Sequence, residues 1–446
     1  MSQPTSVPSR VTPDPIWDNP AREAATSPKS QTPPRSQATP RSAPPDPRRS
    51  APDTPAGDNP RGLSDPDNLN NRYSRQILFP PVGQTGQTLL ARAQVAIVGC
   101  GATGAAAAGL LARAGVGTLH LIDRDFVETS NLQRQSLFDE ADAAEALPKA
   151  EAARRKIRLF NSSITVQAHV ADLTPANIHN LLHPVSLILD GTDNFETRFL
   201  LNDYAVQQGK PWIYAAAIGA YAATMNILPR SLKIDLDKPP ETHKTDLTAL
   251  IGNSGENFSP NFASTACLAC IFPVPPSGPV ETCDTAGILA TAVHLAASIQ
   301  VTEALKLLTG QPHRMRRSLL SFDLWPDLDP TPFSRSEIST GTPNPECPVC
   351  AHRQFQHLNG ASRPHITLCG RNSVQIHEHH RPLDLAAMHR RLSTLPEITD
   401  LRANSLLLRF RRGTHTLSLF ADGRAIIQGT TDPVLARSLY ARFIGI

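Results

Sequence analysis

The sequence lacks any run of 18 or more residues apolar enough to cross a bilayer. The nearest candidate, Gly287 to Leu308, is interrupted by His294, Gln300, Glu303 and Lys306, and reads as a packed core or interface helix. The chain also lacks a dominant charge. Its 43 Lys and Arg against 40 Asp and Glu leave a formal net charge of +3, which points neither to nucleic acid nor to a membrane surface. It lacks the apolar central region of a secretory leader, and its frequent early acidic residues exclude a transit peptide. A cytoplasmic protein is therefore expected. Seven cysteines is an odd count, and without an export signal a metal site fits better than a disulfide framework.

Hydrophobic residues make up only 40% of the chain, and the shortfall is local. Of 41 prolines, 16 precede residue 67. That leader is rich in Pro, Ser, Arg and Asp and cannot bury enough apolar surface to offset the entropy of ordering it. Residues 1–70 are read as a disordered tail, 71–355 as the main domain, and 356–446 as a small α+β module.

From residue 71 strands alternate with helices. "AQVAIVG", "GTLHLID", "ITVQAHV", "SLILDGTD" and "PWIYAAA" read as strands separated by helical segments. The pattern implies the α/β class, with a Rossmann-like, doubly wound, mainly parallel sheet. "YAATMNILP" and "SLLSFDLWP" read as later strands of that sheet. Residues 231–266 read as a long surface loop, and Pro330 to Pro345 as a polar linker. In the C-terminal module "THTLSLFADGRAIIQG" reads as a hairpin turning at Asp422-Gly423, and the last helix has Asp432 as its cap with Pro433 in its first turn. The run His377 to His380 fits no ligand template and reads as a solvated loop.

The first strand runs into "GCGATG". Gly99, Gly101 and Gly104 let backbone approach a phosphate at a helix N-terminus, where free amides and the helix dipole favour anions. Asp123 follows Gly99 by 24 residues at the end of the next strand, the usual place for an acid that accepts from a ribose hydroxyl. Alone, this motif suggests an NAD-dependent oxidoreductase, but the chain offers no obvious partner for hydride transfer. The next loop, "DRDFVETSNLQRQ", adds Arg134, and Lys149 follows. A triphosphate needs such cations to stabilise charge on leaving pyrophosphate. Asp190 and Asp193 stand at the carboxyl end of a later strand, where a carboxylate can hold Mg²⁺. Any one of these residues alone reads as half of a surface ion pair. Their order on successive βα units is what points to ATP.

Two Cys-x-x-Cys pairs, Cys267/Cys270 and Cys347/Cys350, are separated by 76 residues. Two pairs give tetrahedral sulfur ligation of a structural zinc with no open position. Cys283 stands alone in a Gly/Pro-bounded loop before a long helix, and reads equally as an activated thiolate or a bystander. Cys100 and Cys369 read as packing residues.

This ordered set resembles the ThiF/MoeB/HesA family, relatives of ubiquitin-activating enzymes. The resemblance spans residues 72–352 through "RYSRQ", "GCGATG", "DRDFVETSNLQRQ", "LPKAEAA", "GTDN", both Cys-x-x-Cys pairs, "ETCDTAG" and "VTEALKLLTG". The C-terminal module resembles the extension of some ThiF-type thiazole-biosynthesis enzymes. The resemblance implies Mg-ATP-dependent adenylation of the C-terminal glycine carboxylate of a ubiquitin-like sulfur carrier ending in Gly-Gly, of the ThiS kind in preference to the MoaD kind. It implies that Asp123 binds ribose, that Asn131, Arg134 and Lys149 bind phosphate, and that Asp193 binds magnesium. It further implies that Arg75 reaches the partner's site in a homodimer, and that Cys283 matches a cysteine that joins the carrier covalently in some members. A non-catalytic scaffold is the other reading, and retention of Arg75, Arg134, Lys149 and Asp193 argues against it. Three features depart from the family pattern. Ala102 replaces a common fourth glycine, Leu147 and Pro148 precede Lys149 where Gly-x-x-Lys is usual, and the 231–266 insert is long.

Overall fold

The computed structural model describes residues 71–229, 264–274, 286–326, 333–360, 366–368, 373–376, 383–404, 407–421 and 423–444. The expected tail, Cys283, Cys369, His377 to His380, Asp422 and nearly all of the 231–266 insert lie outside them.

An eight-stranded sheet forms the main layer, in the order β3-β2-β1-β4-β5-β6-β7-β8. Strands β1 (Gln94–Val98), β2 (Thr118–Asp123), β3 (Thr165–Val170), β4 (Leu187–Asp190) and β5 (Trp212–Ile218) run parallel. Strands β6 (Tyr221–Ile227), β7 (Ser318–Asp323) and β8 (Ser334–Ser339) complete it antiparallel. Besides a short helix at Glu140–Ala144, the helices are α1 (Ser74–Ile77), α2 (Gly83–Arg92), α3 (Ala102–Ala114), α4 (Lys149–Phe160), α5 (Ile178–Leu182), α6 (Phe195–Gln208), α7 (Leu268–Ile271) and α8 (Ala290–Leu308). Strands β1 and β4 are nearly all apolar because helices cover both faces of the sheet. One face packs Val95, Ile97, Leu119, Leu121, Leu187 and Leu189 under α3, α4 and α8. The other packs Ala96, Val98, Ile122 and Ile188 under α5 and α6. Chain order reverses between β1 and β4, and open α/β sheets bind ligands at such a point.

Part of the expected polar linker is strand β8. Every residue of "SRSEIS" is exposed, so its sequence carries no burial pattern, and its register comes from pairing with β7. No helix of the described residues is long and apolar enough to cross a membrane.

A second, antiparallel sheet has the order β11-β12-β13-β14-β10-β9. Its strands are β9 (Ile366–Leu368), β10 (Ser373–Ile376), β11 (Thr399–Ala403), β12 (Leu407–Arg412), β13 (His415–Phe420) and β14 (Ala425–Gln428). Helices α9 (Leu385–Leu392) and α10 (Pro433–Phe443) cover one face, packing on Val374, Leu408, Phe410, Leu417, Leu419 and Ile427. Asp384 and Asp432 cap these helices, accepting from the Ala386 and Ala387 amides and from the Val434 amide. Side chains alternate across a strand, so Leu407, Phe420 and Ile426 face the other way. They are buried against Phe126 and Ala146 of the main domain, with Val170 packed alongside.

Candidate functional site

The glycine motif does what its residue types allow. Gly99 has φ +87°, a left-handed backbone that glycine adopts without strain. A side chain at Gly104 would place its Cβ 1.8 Å from the Gly99 carbonyl oxygen, so a bare Cα is what lets α3 start against the strand end. Gly101 differs. A Cβ there would have only the Gly191 oxygen within 4 Å, at 3.7 Å, because Gly101 borders an open cleft. Ala102 opens α3 with right-handed helical backbone and lines the same cleft, so its methyl imposes no strain.

The cleft has a volume of about 550 Å³ at the carboxyl ends of β1, β2, β4 and β5. It brings together Gly99, Gly101, Asp123, Arg134, Lys149 and Asp193. Asp123 is 8% exposed and accepts the Cys100 amide at 2.5 Å and the Asp125 amide at 2.6 Å. Burial pushes its carboxyl above the usual range, against the pull of Lys149. Lys149, 1% exposed, pairs with Asp125 at 3.3 Å, and its amide donates to the Asp125 carbonyl. Arg134 donates to the Ser130 carbonyl at 2.9 Å. Asp193 is exposed in the cleft wall. Asn131 is buried in the same loop as Arg134, with its Oδ1 accepting the Glu128 amide at 3.3 Å. Arg75 is exposed on α1, beside exposed Leu78 and Phe79, and is not among the residues lining the cleft. The rest of "RYSRQ" is structural. Tyr73 is buried and its hydroxyl accepts from Asn161, while Gln76 donates to the Ala114 carbonyl. Cys100 is fully buried and burial pushes its thiol well up, as suits a packing residue.

Several interactions that brace the cleft escaped the sequence reading. Arg198 of α6 pairs with buried Asp190 at 2.9 Å and donates to the Thr192 and Ala215 carbonyls. It thereby locks the loop that carries Asp193 to strand β5. Asp190 also accepts from the Thr192 amide and hydroxyl, both on Oδ1, so most of its hydrogen-bonding capacity goes to holding this loop. Gln300, a polar residue of the apolar α8, is fully buried because it donates to the Asp190 and Ile213 carbonyls at the strand ends. Arg124 and Asp172 form a second ion pair in the cleft wall at 3.1 Å. No local motif announces these pairs.

The position three before Lys149, a glycine in the family pattern, is Ala146 with φ +47°. A left-handed alanine costs about 1–2 kcal/mol. The surroundings hold it there, since Ala146 is 3% exposed under Leu407, Phe420 and Ile426.

The four paired cysteines converge. Cys267, Cys270, Cys347 and Cys350 place their sulfurs within 4.8 Å of one another. Sulfur–sulfur separations are 3.9 Å for 267–270, 3.6 Å for 267–347 and 3.4 Å for 270–350. A tetrahedron of sulfurs about 2.3 Å from zinc has edges of about 3.8 Å, so the set fits that ion. Asn202 of α6 braces the cluster, accepting the Leu268 amide at 2.8 Å and directing its Nδ2 at the Cys267 sulfur.

The model of the ThiF family matches residues 73–349. The chain is 39% identical over 380 residues to a Bacillus subtilis protein described as sulfur carrier protein ThiS adenylyltransferase, covering 84% of this chain and 100% of that one. It is 33% identical over 287 residues to a Thermus thermophilus protein described as sulfur carrier protein adenylyltransferase, covering 64% of this chain and 92% of that one.

Proposed function

Because this chain belongs to the ThiF family, we propose that it is an adenylyltransferase that activates the C-terminal glycine carboxylate of a ubiquitin-like sulfur carrier ending in Gly-Gly. The observation that carries the reading is the convergence of a phosphate-ready glycine loop, a ribose-ready acid and two cations in one cleft. A dinucleotide's two phosphates are served by backbone amides alone, whereas a triphosphate uses the cations as well. An oxidoreductase accounts for Asp123 but not for Arg134, Lys149 and Asp193.

A carboxylate is a poor acyl donor because oxide would have to leave. In the proposed reaction its oxygen attacks the α-phosphorus of ATP, the bond to the pyrophosphate oxygen breaks, and a glycyl-AMP anhydride forms. The chemistry calls for alignment of two anions and no general base. Amides at Gly101 and the start of α3 hold phosphate, Asp123 accepts from ribose, and Arg134 and Lys149 offset the developing charge. Asp193 is the hard oxygen ligand suited to Mg²⁺, which would neutralise the triphosphate there. The four cysteines would hold a structural Zn²⁺. Arg75, exposed among apolar residues away from its own cleft, suits a contribution to the partner's site in a homodimer. Cys283 would take up the activated carrier afterwards. A ThiS-like carrier is favoured by the description of the Bacillus relative, and a cytoplasmic location by a cysteine set arranged to hold a metal.

The test is exchange of labelled pyrophosphate into ATP, dependent on added carrier, with ThiS-like and MoaD-like carriers as separate arms. Asp193→Ala should abolish exchange, and Cys283→Ala should spare exchange while blocking sulfur transfer. Absence of exchange with every carrier overturns the reading, and loss of exchange in Cys283→Ala overturns the division of roles.

A further inference from the structure

The second sheet turns one polar stripe towards the nucleotide cleft. Period-two alternation places Gln375 of β10, Gln428 of β14 and Arg409 of β12 on the face opposite α9 and α10. Gln428 and Arg409 reach the loop that leads to Arg134, and Gln375 reaches the cleft wall beside Asp123. Gln428 donates to the Glu128 carboxylate at 3.2 Å, and Arg409 lies 3.8 Å from the same carboxylate. The Arg409 guanidinium also stacks on the Phe126 ring, 4.6 Å from its centroid. Gln375, 4% exposed, donates to Asp172 at 2.7 Å, and Asp172 holds Arg124 in the cleft wall. The side chain of Arg402 on β11 donates to the Ala144 carbonyl at 3.1 Å.

What these contacts hold is a pair of short segments. Phe126 bridges Pro148, the Val127 amide donates to the Leu147 carbonyl, and the Lys149 amide donates to the Asp125 carbonyl. One segment leads through Glu128 and Asn131 to Arg134, and the other delivers Lys149. The turn between helix Glu140–Ala144 and Lys149 contains the left-handed Ala146, a conformation the chain does not favour by itself. The second sheet covers that turn with Leu407, Phe420 and Ile426.

We propose that the C-terminal module is a clamp on the nucleotide subsite, in which Arg409, Gln428 and Gln375 act as positioning residues for Arg134, Lys149 and Arg124. The proposal rests on the adenylation reading only for the identity of the nucleotide. The module fixes the cations before ATP arrives, so loss of the clamp raises the cost of binding ATP more than it slows the bound complex.

The test uses the full chain with Arg409→Leu combined with Gln428→Ala. Two readouts are taken: the dissociation constant of an ATP analogue carrying a methylene bridge between its α and β phosphates, and the KM for ATP against kcat in pyrophosphate exchange. Both the dissociation constant and the KM should rise between about 2- and 30-fold, the range found for coupling through packed networks. At saturating ATP kcat should change far less, and Arg409→Lys, which keeps the charge facing Glu128 but loses the guanidinium stack on Phe126, should raise the KM less than Arg409→Leu does. Gln375→Ala, which touches the other contact, should raise the KM for ATP independently. An unchanged dissociation constant overturns the clamp. A lower melting temperature with unchanged KM overturns it too, as does a raised KM for the carrier alone, because each assigns the module a different role. If the parent binds the analogue but exchanges nothing with any carrier, the adenylation reading fails while the binding constants still decide the clamp.

Discussion

Gly101 and Gly104, three residues apart at the start of α3, should behave oppositely when each becomes alanine. At Gly104 the new Cβ would sit 1.8 Å from the Gly99 oxygen, 2.9 Å from its carbonyl carbon and 3.3 Å from the Ile97 side chain. The first two obstacles are backbone, so α3 must move off the strand end by more than 1 Å, taking ~3.0 Å as the closest ordinary approach. Overpacking of this kind costs roughly 1–3 kcal/mol, and a fixed backbone obstacle puts Gly104→Ala at the upper end. The melting temperature should fall by several degrees, at about 2–4 °C per kcal/mol. At Gly101 the new methyl meets nothing closer than 3.7 Å and enters the cleft. Its backbone, φ −71° and ψ −150°, is open to alanine, so stability should move by less than about 1 kcal/mol. The methyl instead keeps phosphate off the amides at the start of α3. Hydrogen bonds to a charged group are worth about 1.5–3 kcal/mol, so ATP affinity should fall by roughly 10- to 150-fold. Differential scanning calorimetry and titration with the methylene ATP analogue measure the two effects. Gly101→Ala with parental affinity would refute the phosphate cradle, and Gly104→Ala with a parental melting temperature would refute the packing argument.

Two further changes probe the far side of the sheet. Asp203 of α6 is fully buried, accepts the His357 and Leu358 amides, and has its carboxyl pushed up to about 6 by burial. An unfolded aspartate titrates near ~3.9, so the folded state binds this proton more tightly. The resulting stability is fully present below about pH 4 and is lost as pH rises through 6. Asp203→Asn keeps an acceptor and removes the charge. Melting temperatures from pH 4.5 to 8 should therefore depend less on pH in the variant, and equal offsets at every pH would sink the assignment. Cys347→Ser should lower bound zinc from about one equivalent per chain and reduce the melting temperature, as should a strong chelator. A parent protein that carries no zinc and ignores chelators would contradict the cysteine site.

What the sequence determined by itself is local. A strand, a glycine turn and an alanine-rich helix are written in contiguous residues, and the helix Ala102–Ala114 begins where the motif predicts. The cations and acids of the cleft were legible because successive βα units deliver them to the same sheet edge. The caps Asp384 and Asp432 act within three residues of themselves. The cysteine pairs needed one added rule, that two thiol clamps meet at one metal. Tertiary structure decided what depends on partners distant along the chain. Arg198 is unremarkable in the sequence until α6 folds back on β4, pairs it with Asp190 and takes both out of water. Strand β8 exists only because β7 offers it an edge. Gln375 and Asp172 lie 203 residues apart, and Gln428 and Glu128 lie 300 apart. The period-two pattern says that such residues share one face of a sheet, but it cannot say what that face covers. That choice rests on shape and burial between two separately patterned layers, which no single stretch of sequence encodes.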